Sequence, residues 1–320
     1  MEYASIHVFW RHADHPETRR RNCSAASSGR TRFSAAFARS EIIIDRAECQ
    51  LSSSITGLES GLVIQIGGMP IRINTDDPGF LGMLRERYSG YVTSSDEPEI
   101  EFDIDLNPGR FPDPDADVRV KQESGRWTLE RGDFRAEWEP AKRRGRIRQS
   151  TNPYSIDAVL RIMHSLILAR EGGFLVHSAS AIRNGKAFLF AGVSEAGKTT
   201  ISRLAPPDVT LLTDEISYVR KVGSGYMAYG TPFTGELAKL GENVSAPIST
   251  LYLLAKGKEN RIDPVPPAEA ARSLLSNVLF FAADQELVQS LFHSAFEFVN
   301  RVPVSRLTFF PDARVWELIR

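Results

Sequence analysis

The sequence predicts an α/β protein in two parts, a β-rich (α+β) accessory domain followed by a core built around a P-loop, the strand-to-helix turn that binds phosphate. Three observations predict it. Residues 192–199, Gly-Val-Ser-Glu-Ala-Gly-Lys-Thr, satisfy G-x-x-x-x-G-K-[ST] and follow an apolar run, Ala187 to Ala191, as such a loop follows a strand. Between residues 63 and 138, short alternating runs are separated by Gly, Pro and Asp clusters. Beyond residue 151, amphipathic helical patterns alternate with short strands.

Residues 1–40 are expected to be a flexible tail. Thr18 to Ser40 carries Arg19, Arg20, Arg21, Arg30, Arg32 and Arg39 with no acid; a transit peptide shares that composition, but this stretch lacks an apolar stripe. Residues 41–150 form the accessory domain. Its strands are expected at 63–66, 71–73, 100–104, 118–120, 127–129 and 134–138, and one helix from Pro78 to Tyr88 turns Phe80, Leu81 and Leu84 inward. Asn107 to Asp117, with Pro108, Pro112 and Pro114, reads as an exposed loop. This domain supports the core or holds a substrate peptide along an open sheet edge. Lys142 to Arg148 is a dense basic run, either a solvated face or, with arginines alternating around Ile147, one wall of a groove for an acidic peptide or phosphate.

The core, residues 151–320, opens with Asn152 as a helix cap and Pro153 in the first turn. Ile156, Val159, Leu160, Met163, Leu166 and Ile167 make one apolar helix face, and Gly172-Gly173 stops the helix. His164 lies off that face and is given no role. Asn184-Gly185 between two apolar runs predicts a hairpin with a two-residue type I′ turn. Its register sets Arg183 opposite Lys186, Ala181 opposite Phe188 and His177 opposite Gly192, which delivers His177 to the mouth of the loop. Ser178 and Ser180 are structural.

The loop then reads as a nucleotide site. Gly192 and Gly197 let the backbone of Val193, Ser194, Glu195 and Ala196 curl so that N–H groups converge on phosphate oxygens, and the helix starting near Lys198 adds the positive end of its dipole. Lys198 supplies a mobile charge for the β- and γ-phosphates of ATP. Thr199 offers a hydroxyl to Mg²⁺, and Thr200 closes the segment as an ordinary helix residue. With fifteen residues between Lys198 and Asp214, the strand Val209 to Thr213 ends in Asp214-Glu215. Carboxylates there hold Mg²⁺ or take a proton from an attacking hydroxyl. Further on, Thr231 and Glu236 sit in a segment that either returns to the phosphate site or is a turn in its own right. Two amphipathic helices follow, Pro267 to Phe281 and Asp284 to Asn300, the second with Leu287, Leu291, Phe292, Ala295 and Val299 on its packing side and His293 on the surface; a strand and a last short helix come after them.

His177, then GVSEAGKTT, then LLTDE after one short helix resembles the ATP-binding core of the HPr kinase/phosphorylase family, which shares its fold with phosphoenolpyruvate carboxykinase. The likeness runs from Phe174 to Arg320, through Gly230 to Glu236 and Leu251 to Leu254. It is closer to HPr-kinase-related proteins found beside modified-peptide biosynthesis genes, some of them similar to lasso-peptide kinases that phosphorylate a precursor peptide. The resemblance implies an ATP- and Mg²⁺-dependent kinase acting on a Ser/Thr hydroxyl of a peptide or small protein. In it Asp214 draws the proton, His177 orients a phosphate oxygen or the nucleophile, and Thr199, Asp214 and Glu215 serve the metal. Arg306 follows Val302-Pro303-Val304 as an arginine follows I-P-V in the family; it stabilises the transferring charge or is a surface ion-pair partner. The family has Asp-Asp where this chain has Asp214-Glu215, and its second glycine-rich signature is not intact, so the phosphorylase reaction and the phosphocarrier substrate are not carried over. A small-molecule hydroxyl kinase and a non-catalytic nucleotide-dependent binding protein stay open. Monomer and homo-oligomer both stay open too.

Lys plus Arg is 39 against 40 for Asp plus Glu, a balance that argues for neither nucleic acid nor a membrane as partner. Cys23 and Cys49 lack metal spacing and suit a reducing, cytoplasmic setting.

Overall fold

Two sheets and five helices make up the residues that the computed structural model describes, 61–95, 97–107, 116–237 and 239–320. The expected tail at 1–40 lies outside them, as does most of the loop expected at 107–117. The first sheet is built from β1 (Gly61–Ile66), β2 (Met69–Thr75), β3 (Ile100–Leu106), β4 (Arg119–Glu123), β5 (Arg126–Arg131), β6 (Phe134–Glu139) and β7 (Arg144–Gln149), in the order β1-β2-β3-β7-β6-β5-β4. Alternation buries Ile71, Ile73, Phe102, Ile104 and Ile147 on one side. Between β2 and β3, α1 (Pro78–Arg87) lays Phe80, Leu81 and Leu84 on that face; Asp77 caps it by accepting from the Phe80 amide.

The basic run forms β7, and its arginines meet acids of β3. The parallel register sets Glu101 against Arg144, Asp103 against Arg146 and Asp105 against Arg148, with N···O distances of 3.5–3.7 Å for the closest pairs. This ladder is exposed and balances its own charge, so it is a solvated face rather than a groove for an acidic ligand.

The second half begins with α2 (Tyr154–Glu171). The Asn152 side chain accepts from the Tyr154 amide at 3.0 Å, and Gly172, at φ 80°, ends the helix with its N–H on the Leu168 carbonyl. Behind it come β8 (Phe174–Arg183), β9 (Lys186–Ala191), α3 (Lys198–Arg203), β10 (Thr210–Thr213), β11 (Ile216–Val222), β12 (Gly225–Tyr229), β13 (Ser245–Lys256), β14 (Arg261–Pro264), α4 (Pro267–Leu275), β15 (Val278–Leu279), α5 (Gln285–Arg301) and β16 (Val304–Phe309). The strand order is β10-β8-β11-β12-β13-β16-β14. Because β9 pairs with both β8 and β13, the strands β8, β11, β12, β13 and β9 close a ring. The helix expected to reach Phe281 stops at Leu275, since Val278 and Leu279 find backbone partners in Val176 and Leu175 of β8.

The described residues form one compact unit, and α2 is packed by β7 on one side and by β8, β11 and α5 on others. A helix covered from several directions has no solvent face for its middle turns. His164, expected off the core face, is therefore fully buried, its Nδ1 3.2 Å from the Tyr218 hydroxyl. Burial, then the Arg220 charge, lower its pKa from 6.5 to about 3. The unfolded chain thus takes up a proton below pH 6.5 that the folded chain refuses until about pH 3. Stability should fall across that window by up to ~1.4 kcal/mol per pH unit from this residue. His164→Gln, followed by denaturant titration between pH 7 and 5, should flatten the slope; an unchanged slope would count against this account.

Candidate active site

The site is assembled by the β8–β9 hairpin. Asn184 at φ 51° and Gly185 at φ 73° make the turn, and the pairs Arg183–Lys186, Ala181–Phe188 and Ser178–Ala191 are those that a two-residue turn dictates. His177 is the next residue on β8, held through its own amide on the Asn277 carbonyl at 2.7 Å. The loop leaves the end of β9, where β9, β13 and β16 run parallel. A Cβ on Gly192 would come within 2.6 Å of that of Ala196, and one on Gly197, at φ 114°, within 2.6 Å of the Phe309 ring, so both positions require glycine. Val193, Ser194 and Glu195 stand exposed at the crest, Ala196 is buried, and Thr199 and Thr200 are half-buried. With six residues, α3 is too short for the strong dipole that the sequence suggests.

Lys198 folds back over this loop. Its side chain is buried and Nζ donates to the carbonyls of Gly192 at 3.0 Å and Val193 at 3.3 Å. Burial lowers its pKa, while Glu215 and Glu236 act to raise it.

The two carboxylates at the end of β10 diverge. Asp214 is 4% exposed; its Oδ1 accepts from the Gly235 amide and its Oδ2 from the Leu237 amide, both at 2.9 Å. It therefore anchors the 230–237 segment, which does return to the site and carries Glu236. Thr231 is buried there with its hydroxyl on the Ile216 carbonyl, a structural bond. Glu215 is half-buried and feels the charge of Lys198. Thr213 Oγ1 accepts from the Glu215 and Ile216 amides and fixes the turn, and Glu215 Oε1 lies 3.8 Å from His177 Nε2. Burial raises the Glu215 pKa against the opposing charges of Arg161 and Lys198. Burial, then Lys198 and Arg161, bring His177 down to about 4, so the contact joins a carboxylate to a neutral imidazole.

Arg161 is the residue that the sequence patterns did not single out. It rises from α2, its guanidinium 4.9 Å from the centre of the Phe233 ring, and feels the charges of Asp157 and Glu215. Its one signal in the sequence is a charge in mid-helix, one turn after Asp157. Arg306 stands apart from this cluster: its guanidinium is paired with Glu269 of α4, both partners exposed.

Among the described residues, no group of three or more His, Cys, Asp or Glu could hold a metal ion, and no helix is long and apolar enough to cross a membrane. The Thr199 hydroxyl and the Glu215 carboxylate are hard oxygen donors. Such a pair suits Mg²⁺, which keeps waters and phosphate oxygens as its other ligands.

No curated protein sequence matches the chain. Among solved structures it is similar to the Hpr(Ser) kinase/phosphatase from Coxiella burnetii, at 11% identity over 38% of this chain and 87% of that one, with a TM-score of 0.22. A likeness that slight carries no argument here. Residues 150–320 match the family described as SynChlorMet cassette protein ScmC. Since that match covers more than half of the 320 residues, and takes in the hairpin, the glycine loop and the acidic turn together, the chain belongs to the SynChlorMet cassette protein ScmC family.

Proposed function

We propose that this protein is a cytoplasmic, ATP-dependent kinase that transfers the γ-phosphoryl group to a Ser/Thr hydroxyl of a peptide or small protein. The observation that carries the reading is the buried Lys198 side chain donating to two carbonyls of its own glycine loop, beside the Glu215–His177 contact at 3.8 Å. The residue pattern's resemblance to the HPr kinase/phosphorylase family, and to precursor-peptide kinases within it, supports the acceptor class.

In this reading the curled loop binds the phosphate chain, and Lys198 exchanges its two carbonyls for the β- and γ-phosphate oxygens. Thr199 and Glu215 would hold Mg²⁺, which would supply neutralising charge for the phosphates. Glu215 also accepts the hydroxyl proton, directly or through a water, as the acceptor oxygen bonds to phosphorus and the bond to the β-bridging oxygen breaks, releasing ADP. Its raised pKa suits a proton acceptor. Neutral His177 orients the acceptor, and Asp214, its oxygens occupied, holds the 230–237 segment in place rather than acting as the base. Such a site works by positioning and by stabilising charge.

Incubation of the full chain with Mg²⁺ and γ-labelled ATP tests this, with peptides encoded by neighbouring genes, free serine and a sugar as separate acceptors. Label on a peptide Ser or Thr is the expected result. Label on the small molecules alone would make it a metabolite kinase, and binding without transfer or hydrolysis would make it a nucleotide-dependent binding protein.

A further inference from the structure

Asp157 and Arg161 lie one turn apart on α2, the spacing at which a helix pairs opposite charges. Here the pair is interrupted. The Asp157 carboxylate is taken by α1: Arg87 grips it with two nitrogens, Nε to Oδ1 at 3.3 Å and Nη2 to Oδ2, and the Tyr88 hydroxyl donates to Oδ1. Both the Asp157 carboxylate and the Tyr88 ring are buried. Arg161 is thus left to rest on the Phe233 face, and its Nε is buried with no hydrogen-bond partner. A guanidinium donor taken out of water and left unfilled is costly unless an anion completes it. Phe233 belongs to the segment that Asp214 anchors beside Glu215, so the unfilled donor lies at the edge of the cluster of Lys198, His177 and Glu215.

We propose that Arg161 is the residue of this site that recognises the terminal phosphoryl group of a nucleoside triphosphate, and that Arg87, Tyr88 and Asp157 free it for that purpose by engaging its helical partner. The proposal rests on the kinase reading above. A planar guanidinium meets phosphate oxygens with two parallel hydrogen bonds, which a lysine does not reproduce. Lys198, seated within the loop, serves the diphosphate shared by substrate and product; Arg161, arriving from another helix, distinguishes the two. The clamp on Asp157 also ties the first sheet's helix to the phosphate site, which gives residues 61–149 a part in nucleotide selection.

Calorimetric titration of Mg²⁺-ATP, as its non-hydrolysable analogue, and of Mg²⁺-ADP into the full chain tests this. Arg161→Gln should weaken the triphosphate by about tenfold or more while changing ADP by less than about threefold, the loss expected for one charge-assisted contact. Arg161→Lys should lose part of that selectivity and carries the test should the glutamine variant not fold, as thermal melting will show. Lys198→Ala should lose both nucleotides. If either Arg161 variant weakens ADP and the triphosphate alike, or weakens neither while the wild type binds both, the assignment of Arg161 is wrong and the kinase reading stands. Failure of the wild type to bind either nucleotide would overturn both.

Discussion

Replacement of Lys198 by alanine should reduce phosphoryl transfer by about 10³-fold or more, the scale on which a preorganised charge at a transferring group acts in a site shielded from water. The residue is 7% exposed and its ammonium is already desolvated, so its charge reaches a phosphate with little screening. The fold should tolerate the change. The substitution removes a buried charge as well as the donor for the Gly192 and Val193 carbonyls, and those effects oppose each other. Label transfer and unliganded melting temperature, measured on one preparation, separate the outcomes. Transfer at the wild-type rate would remove the glycine loop from the mechanism, and a large drop in melting temperature would make Lys198 a structural residue first.

The second large effect concerns the two adjacent acids, which the structure gives unlike surroundings. Glu215→Gln should lower turnover by about 10²- to 10⁴-fold, the usual worth of a positioned base, and weaken Mg²⁺-nucleotide through its share in holding the metal, while melting temperature stays near wild type. Asp214→Asn should behave differently. An amide group has one acceptor oxygen where the carboxylate has two, so the Gly235 or the Leu237 N–H would face another donor, at a cost of about 1–3 kcal/mol. Stability and activity should fall together as the 230–237 segment loosens and takes Glu236 with it. Should the asparagine variant lose activity at full stability while Glu215→Gln stays active, the base is Asp214 and the two roles are exchanged.

The sequence alone carries the features encoded within a few neighbouring residues. Asn184-Gly185 dictates a turn whose handedness and length set the β8–β9 register from Arg183–Lys186 to Ser178–Ala191; the pairing expected next, His177 with Gly192, is not formed, because His177 pairs with Ile216 of β11 instead. The glycines at 192 and 197, the Gly172 stop and the period-2 strands of the first sheet belong to the same class, whereas the helix cap falls on Pro153 and not on the expected Asn152. What tertiary structure decides is every question of which distant group faces which. The arginines of β7 read as a basic patch until β3 sets acids beside them. His164 reads as peripheral until elements of both halves cover α2. Asp214 and Glu215 are adjacent acids with nothing local to tell their surroundings apart, and it is the Gly235 and Leu237 amides that engage Asp214 alone. Arg161 carries no local pattern because its partners, Asp157 excepted, come from separate elements, and Asp157 itself is claimed by α1. Backbone geometry follows from steric rules acting over a turn or two. The pairing of charges follows from desolvation, which acts only once the chain has packed.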